Sequence, residues 1–203
     1  MFEVLEKGGV MMIPILFSSV IALAVIVDRL LATSRVKLAR DSQIKELFNC
    51  VARDEEAQFM EAFNNSHAPI FKVMNAILES KGDESAAEKA AGLSGDKILR
   101  VLNRRLEWLA ILGSLVPLMG LLGTVIGMIK VFSDVAAAGD VSDITLLAGG
   151  IWEALLTTAA GMAVAIPILL VYHAFQSKID NIAFEMRQRS EELIVLLRKC
   201  GRL

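Results

Sequence analysis

One carboxylate stands alone in a long uncharged stretch. Glu153 is the only Asp, Glu, Lys or Arg between Asp143 and Lys178. Counted from Ile144 it lies about nine residues in, roughly 13 Å along a helix. A charge at such depth in a bilayer costs on the order of 2.5–3.5 kcal/mol, and carboxylates kept there usually mark ion or proton paths. The same group can also be structural, bonded to a neighbouring subunit or to a backbone carbonyl. Hydroxyls gather around it. Thr157 follows by four residues and so shares its helix face. Thr158 follows by five, roughly 140° around the axis, on the face of Ala154, Gly161 and Ala165. That strip of small residues would suit the lining of a narrow pore. Thr124 is the hydroxyl of the preceding apolar run. Threonines in membrane helices also bond back to their own helix, and spacing alone does not choose between these readings.

These residues need apolar helices to carry them, and the composition supplies such helices. Of 203 residues, 55% are hydrophobic and 22% charged, and mean hydropathy is +0.55, well above a typical water-soluble domain. The two classes are segregated along the chain. Val10–Val27 carries no charge, Trp108–Ile129 carries none, and Ile144–Tyr172 is broken only by Glu153. Each run is long enough to span a hydrocarbon core. The first run is read as an anchor rather than a signal peptide, since Glu3 and Glu6 flank the single Lys7 and Asp28-Arg29-Leu30-Leu31 follows. Gly113, Gly120 and Gly127 recur at sevens and Gly123 pairs with Gly127 in a GxxxG; in lipid such residues allow backbones to approach. The third run is likewise rich in Gly and Ala, whereas the first is rich in Ile, Leu and Val. Spans two and three are therefore expected to be the packed inner pair, span one to face lipid, and the glycines to hold subunits together.

Orientation follows from the basic residues. Of 21 Lys and Arg, only Lys7 and Lys130 fall in the N-terminal tail or between spans two and three. The connection instead carries Asp134, Asp140 and Asp143. The positive-inside rule predicts an outer N-terminus and a cytoplasmic C-terminus. The expected organisation is an outer tail over 1–9, span one over 10–32, a cytoplasmic helical segment over 33–107, span two over 108–132, an outer loop over 133–146, span three over 147–173 and a cytoplasmic helix over 174–203. Ile44, Leu47, Phe48 and Val51 follow helical spacing. Asn64 to Pro69 reads as a break, Ile70–Leu78 as a second helix, and Lys81-Gly82-Asp83 as its end. From Glu84 helix formers lead through Ile98, Val101, Leu102 and Arg105 directly into span two, weakened only at Gly92 and Gly95. Beyond span three, Phe175, Ile179, Ile182, Met186, Leu193, Leu196 and Leu197 keep helical spacing. The fold class predicted is an all-α integral membrane protein with three transmembrane helices, spans two and three extending into a cytoplasmic helical bundle.

Several function classes are disfavoured. A net charge of −2 carries no nucleic-acid footprint. Cys50 and Cys200 make no disulfide scaffold, and neither they nor His67 have metal-ligand neighbours, so no metal or cofactor is expected. The sequence contains no HExxH, GxSxG or Walker motif, which argues against an enzyme. A secondary transporter would favour broken helices and an internal repeat, and no repeat is present.

The run Leu121-Leu122-Gly123-Thr124-Val125-Ile126-Gly127-Met128, followed by Gly150-Ile151-Trp152-Glu153-Ala154-Leu155-Leu156-Thr157-Thr158-Ala159-Ala160-Gly161-Met162, resembles the signature of the MotA/TolQ/ExbB proton-channel family. Ala165-Ile166-Pro167, the opening Gly8-Gly9-Val10-Met11-Met12-Ile13-Pro14-Ile15-Leu16 and Asp28-Arg29-Leu30 fit as well. Three spans with an outer N-terminus are similar to the ExbB and TolQ branch; MotA-like stators have four. The resemblance implies a pentamer in the bacterial inner membrane. Spans two and three would line a pore that holds a dimer of single-span ExbD/TolR-like partners, each with a membrane aspartate. Proton flow would drive an envelope protein of TonB or TolA type. By motif position, Thr124 and Thr158 would be pore hydroxyls facing the partner aspartate and Glu153 the intramembrane glutamate, while Thr157 stands where relatives often have alanine. A non-conducting membrane scaffold with a structural Glu153 is the alternative.

Overall fold

The computed structural model describes residues 9–35, 39–55, 68–80, 83–138 and 144–203. The tail before residue 9, the expected break at Asn64–His67, the pair Lys81-Gly82, and Asp140 and Asp143 lie outside the described residues. Among the described residues all regular structure is helical: α1 Met12–Arg35, α2 Asp41–Ala52, α3 Pro69–Glu79, α4 Glu84–Asn103, α5 Leu106–Ala138 and α6 Ile144–Lys199. Three of these, α1, α5 and α6, are long and apolar enough to cross a membrane. The chain forms two compact units. One holds Met1–Asp28 and Arg105–Ala174; the other holds Arg29–Arg104 and Phe175–Leu203.

In the first unit, the apolar side chains of α1 are mostly outward. Ile13, Phe17, Val20 and Leu23 are exposed, while Met12, Ile15, Ser18 and Ala22 form a buried stripe at helical spacing. Ile15 meets Val116 of α5 and Ala165 of α6 in one small cluster. A helix with apolar residues on its outward face needs lipid rather than water around it. Pro117 and Pro167 lie inside α5 and α6, whose helices continue through them.

In the second unit the stripe read from sequence is the core. Ile44, Leu47 and Val51 of α2 pack with Ile70, Phe71, Val73, Met74 and Ile77 of α3, Ala87 of α4 and Ile182, Met186, Leu193 and Leu197 of α6. Phe48 lies at its edge, partly buried. Local signals explain the helix starts. Pro69 opens α3, where a missing N–H costs nothing. The Asp83 carboxylate accepts from the Ala86 N–H at 2.9 Å and caps α4. α4 runs unbroken through Gly92 and Gly95.

One expectation is corrected: α4 does not run into α5, because Arg104 and Arg105 form a turn. The Arg29 guanidinium donates to the Leu102 carbonyl at 3.2 Å. An unbroken helix would need that oxygen for the N–H of Leu106. Arg105 turns aside and pairs with Asp28 at 2.7 Å.

Candidate functional site

Glycine makes the contact between α5 and α6. The helices run antiparallel, and each glycine of α5 meets α6 about one turn further along. A methyl added at Gly127 would stand 2.9 Å from Ala154 Cβ, and one at Gly123 would stand 3.0 Å from Thr157 Cβ. At Gly120 it would meet the Thr157 carbonyl and Thr158 Cα, each at 3.1 Å, and at Gly113 the Leu169 side chain at 2.6 Å. From the α6 side, a methyl at Gly161 would stand 3.0 Å from the Val116 carbonyl. Contacts this tight admit hydrogen and nothing larger without movement, so the small residues let two backbones touch.

This geometry corrects two expectations. Ala154, Gly161 and Ala165 do not line a lumen. Ala154 and Ala165 are each 2% exposed, and Gly161 is buried against Gly120. The strip that sequence alone allows to face a pore is the strip that mates with α5 of the same chain. The glycine heptad likewise packs within the chain rather than between subunits.

The hydroxyls divide. Thr124 donates back to the Leu121 carbonyl at 2.6 Å, and Thr157, buried, donates to the Glu153 carbonyl at 3.0 Å. Both are the back-bonding arrangement common in membrane helices. Thr158 crosses the seam and donates to the Gly120 carbonyl at 2.9 Å. It therefore ties α6 to α5 at the closest point of approach. Its oxygen keeps acceptor capacity, and the side chain is only half-buried.

Glu153 sits at the end of the seam beside Ala154. It is half-buried and lines a cavity of about 310 Å3 with Gly127, Lys130, Val131, Asp134 and Gly150 among its walls. A side chain on Gly9 would collide with the Glu153 carboxylate. Gly9 has φ +67°, a conformation that disfavours other residues, so the start of α1 can lie against that carboxylate only as glycine. Gly9, Lys130 and Asp134 are therefore neighbours of the site that local sequence alone does not single out. The usable signal was that Gly127, Lys130 and Asp134 stand at i, i+3 and i+7, one face of α5.

Comparison with known proteins bears on this arrangement. Residues 52–188 match the model of the MotA/TolQ/ExbB proton channel family. An ExbB-like biopolymer transport protein from Synechocystis sp. is 33% identical over 174 residues, covering 84% of this chain and 68% of the relative. A second ExbB-like protein from that organism is 27% identical over 175 residues, 84% of this chain and 82% of the relative. The biopolymer transport protein ExbB of Helicobacter pylori is 34% identical over 117 residues, 58% of this chain and 77% of its own length. Glu153, the three threonines and the glycine seam all lie inside the matched segment.

Proposed function

The chain belongs to the MotA/TolQ/ExbB proton channel family, and we propose that it is the pore-forming subunit of a motor driven by the proton gradient across a bacterial inner membrane. The observation that carries this reading is Glu153: a carboxylate in an apolar helix, at the open end of a tight glycine seam and beside a cavity. Its biological unit is a homo-pentamer around an ExbD/TolR-like dimer. The N-terminus is periplasmic, and the segment between spans one and two and the C-terminal helix are cytoplasmic. Protons move between the partner's membrane aspartate and the bulk phases, and the motion is passed to an envelope protein of TonB or TolA type.

Each residue has a part in this reading. Glu153 can bind and release a proton. Thr124 and Thr158 have hydroxyls whose protons go to the Leu121 and Gly120 carbonyls, so each oxygen can accept from a protonated partner carboxyl, and donating to an ionised one requires that backbone bond to open. They do so without placing a fixed charge in a low-dielectric site. The Thr158 bond to the Gly120 carbonyl holds that hydroxyl at a set position. Gly113, Gly120, Gly123 and Gly127 keep α5 and α6 registered, so the polar groups stay fixed relative to one another.

A second reading has its own support. The Glu153 carboxylate lies against Gly9, as a side chain that fixes the start of α1 would. In that case the protein is a non-conducting scaffold with a structural glutamate. Replacement separates the two. Under the proton reading Glu153→Ala and Glu153→Gln both abolish energised function in cells while the assembled complex persists in membranes. Full activity of Glu153→Gln, which hydrogen-bonds but does not titrate, would move Glu153 to the structural reading instead.

A further inference from the structure

The cavity beside Glu153 runs within a single chain, from that carboxylate to the rim where α5 nears its end. Gly127, Gly149 and Gly150 contribute no side chains to its walls, and Val131, Val135 and Leu147 line its flank. Lys130 and Asp134, four residues apart on one face of α5, are both exposed. At about 310 Å3 the space is large enough for several waters, and it has the polar partners that water needs. The glycine walls differ. A side chain on Gly150 would collide with Val131, so the wall is closed there, whereas a methyl on Gly149 would meet nothing within 4 Å.

We propose that this cavity is a water-filled access path that carries hydrated protons between Glu153 and the side of the membrane bearing the α5–α6 connection, with Lys130 and Asp134 at its mouth. Every residue named along the path belongs to one chain. A carboxylate with water at one end avoids most of the cost of sitting in hydrocarbon. Lys130 and Asp134 carry opposite formal charges, so together they add no net charge at the rim. The purpose of this path, though not its existence, rests on the reading of Glu153 as a proton-exchanging group.

The test uses the full chain assembled with its partner in membranes. A Glu153→Cys variant is treated with a small membrane-impermeant methanethiosulfonate added from the side of the α5–α6 connection. The parent, which keeps Cys50 and Cys200, gives the background rate. Labelling of Glu153→Cys above that background is expected. Adding Gly149→Ala should leave the rate unchanged. Adding Gly149→Phe should slow it about tenfold or more, because the ring fills the open space at that position and limits access to the thiol. Absence of labelling from that side, or equal rates with Gly149→Phe, would overturn the path. Where Glu153→Cys does not assemble, the same Gly149 pair is read in the chain that keeps Glu153. Proton uptake then falls about tenfold or more with Gly149→Phe and holds with Gly149→Ala; equal uptake in both would overturn the path. A chain whose proton movement depends on Glu153 while Glu153→Cys is unreactive loses this access path and keeps its proposed function.

Discussion

Gly120→Ala puts the seam under the smallest perturbation that can break it. The added methyl would stand 3.1 Å from both the Thr157 carbonyl and Thr158 Cα, and 3.4 Å from Gly161 Cα. These are backbone atoms of α6, so no flexible side chain can swing away and the helices must part by a few tenths of an ångström. Such overpacking costs typically about 1–3 kcal/mol. Against it stands the gain from replacing a helical glycine, about 0.5–1 kcal/mol. The net expectation is a loss of about 1 kcal/mol, within a range of about 0–2.5, enlarged where parting also stretches the 2.9 Å bond from Thr158 to the Gly120 carbonyl. Gly92→Ala is the matched control, since a methyl there would meet nothing within 4 Å and only the helix gain remains. The assay is reversible unfolding of the purified chain in mixed micelles, followed by helicity as denaturing detergent is titrated. Gly120→Ala is expected to unfold at lower detergent than the parent and Gly92→Ala at slightly higher. A Gly120→Ala chain as stable as Gly92→Ala would refute the close backbone contact.

Thr158→Val keeps the shape and removes the bond to the Gly120 carbonyl, so stability falls by only about 0.6 kcal/mol while proton-coupled activity drops strongly; Thr158→Ser retains much of that activity, as vesicle proton-uptake assays with assembly checked in parallel would show. Leu47→Ala, at 0% exposure in the core of the second unit, costs about 2–5 kcal/mol and is read as faster proteolysis within the segment between α1 and α5. Asp83→Ala removes the cap on α4, costs about 0.5–2 kcal/mol and speeds hydrogen exchange at the Ala86 amide.

Much of the fold was legible because its signals are local or periodic. Three uncharged runs mark three helices, and the spacing of Ile44, Leu47 and Val51 names the face that is buried. The turn at Arg104 and Arg105 was not legible. It depends on a guanidinium more than seventy positions earlier taking the Leu102 carbonyl, which no local propensity records. The seam shows the same limit at the site. Periodicity identifies the face of Gly113, Gly120 and Gly127 and the face of Ala154, Gly161 and Ala165 as close-packing. It does not say whether the mate is another subunit, a lumen or the same chain; in the fold the two faces pack on each other. Glu153 was conspicuous because charge in an apolar run is costly. Its neighbours Gly9, Lys130 and Asp134 were not, because each has an ordinary local explanation as a helix start or a span end.

Proton movement itself decides whether Glu153 works by titrating. The assembled chain and its single-span partner are placed in vesicles with a trapped pH indicator, and a potential is applied across the membrane. Uptake is expected in the parent, retained in part by Glu153→Asp and lost in Glu153→Gln at equal assembly. Uptake by Glu153→Gln at the parent rate would contradict a titrating role for Glu153.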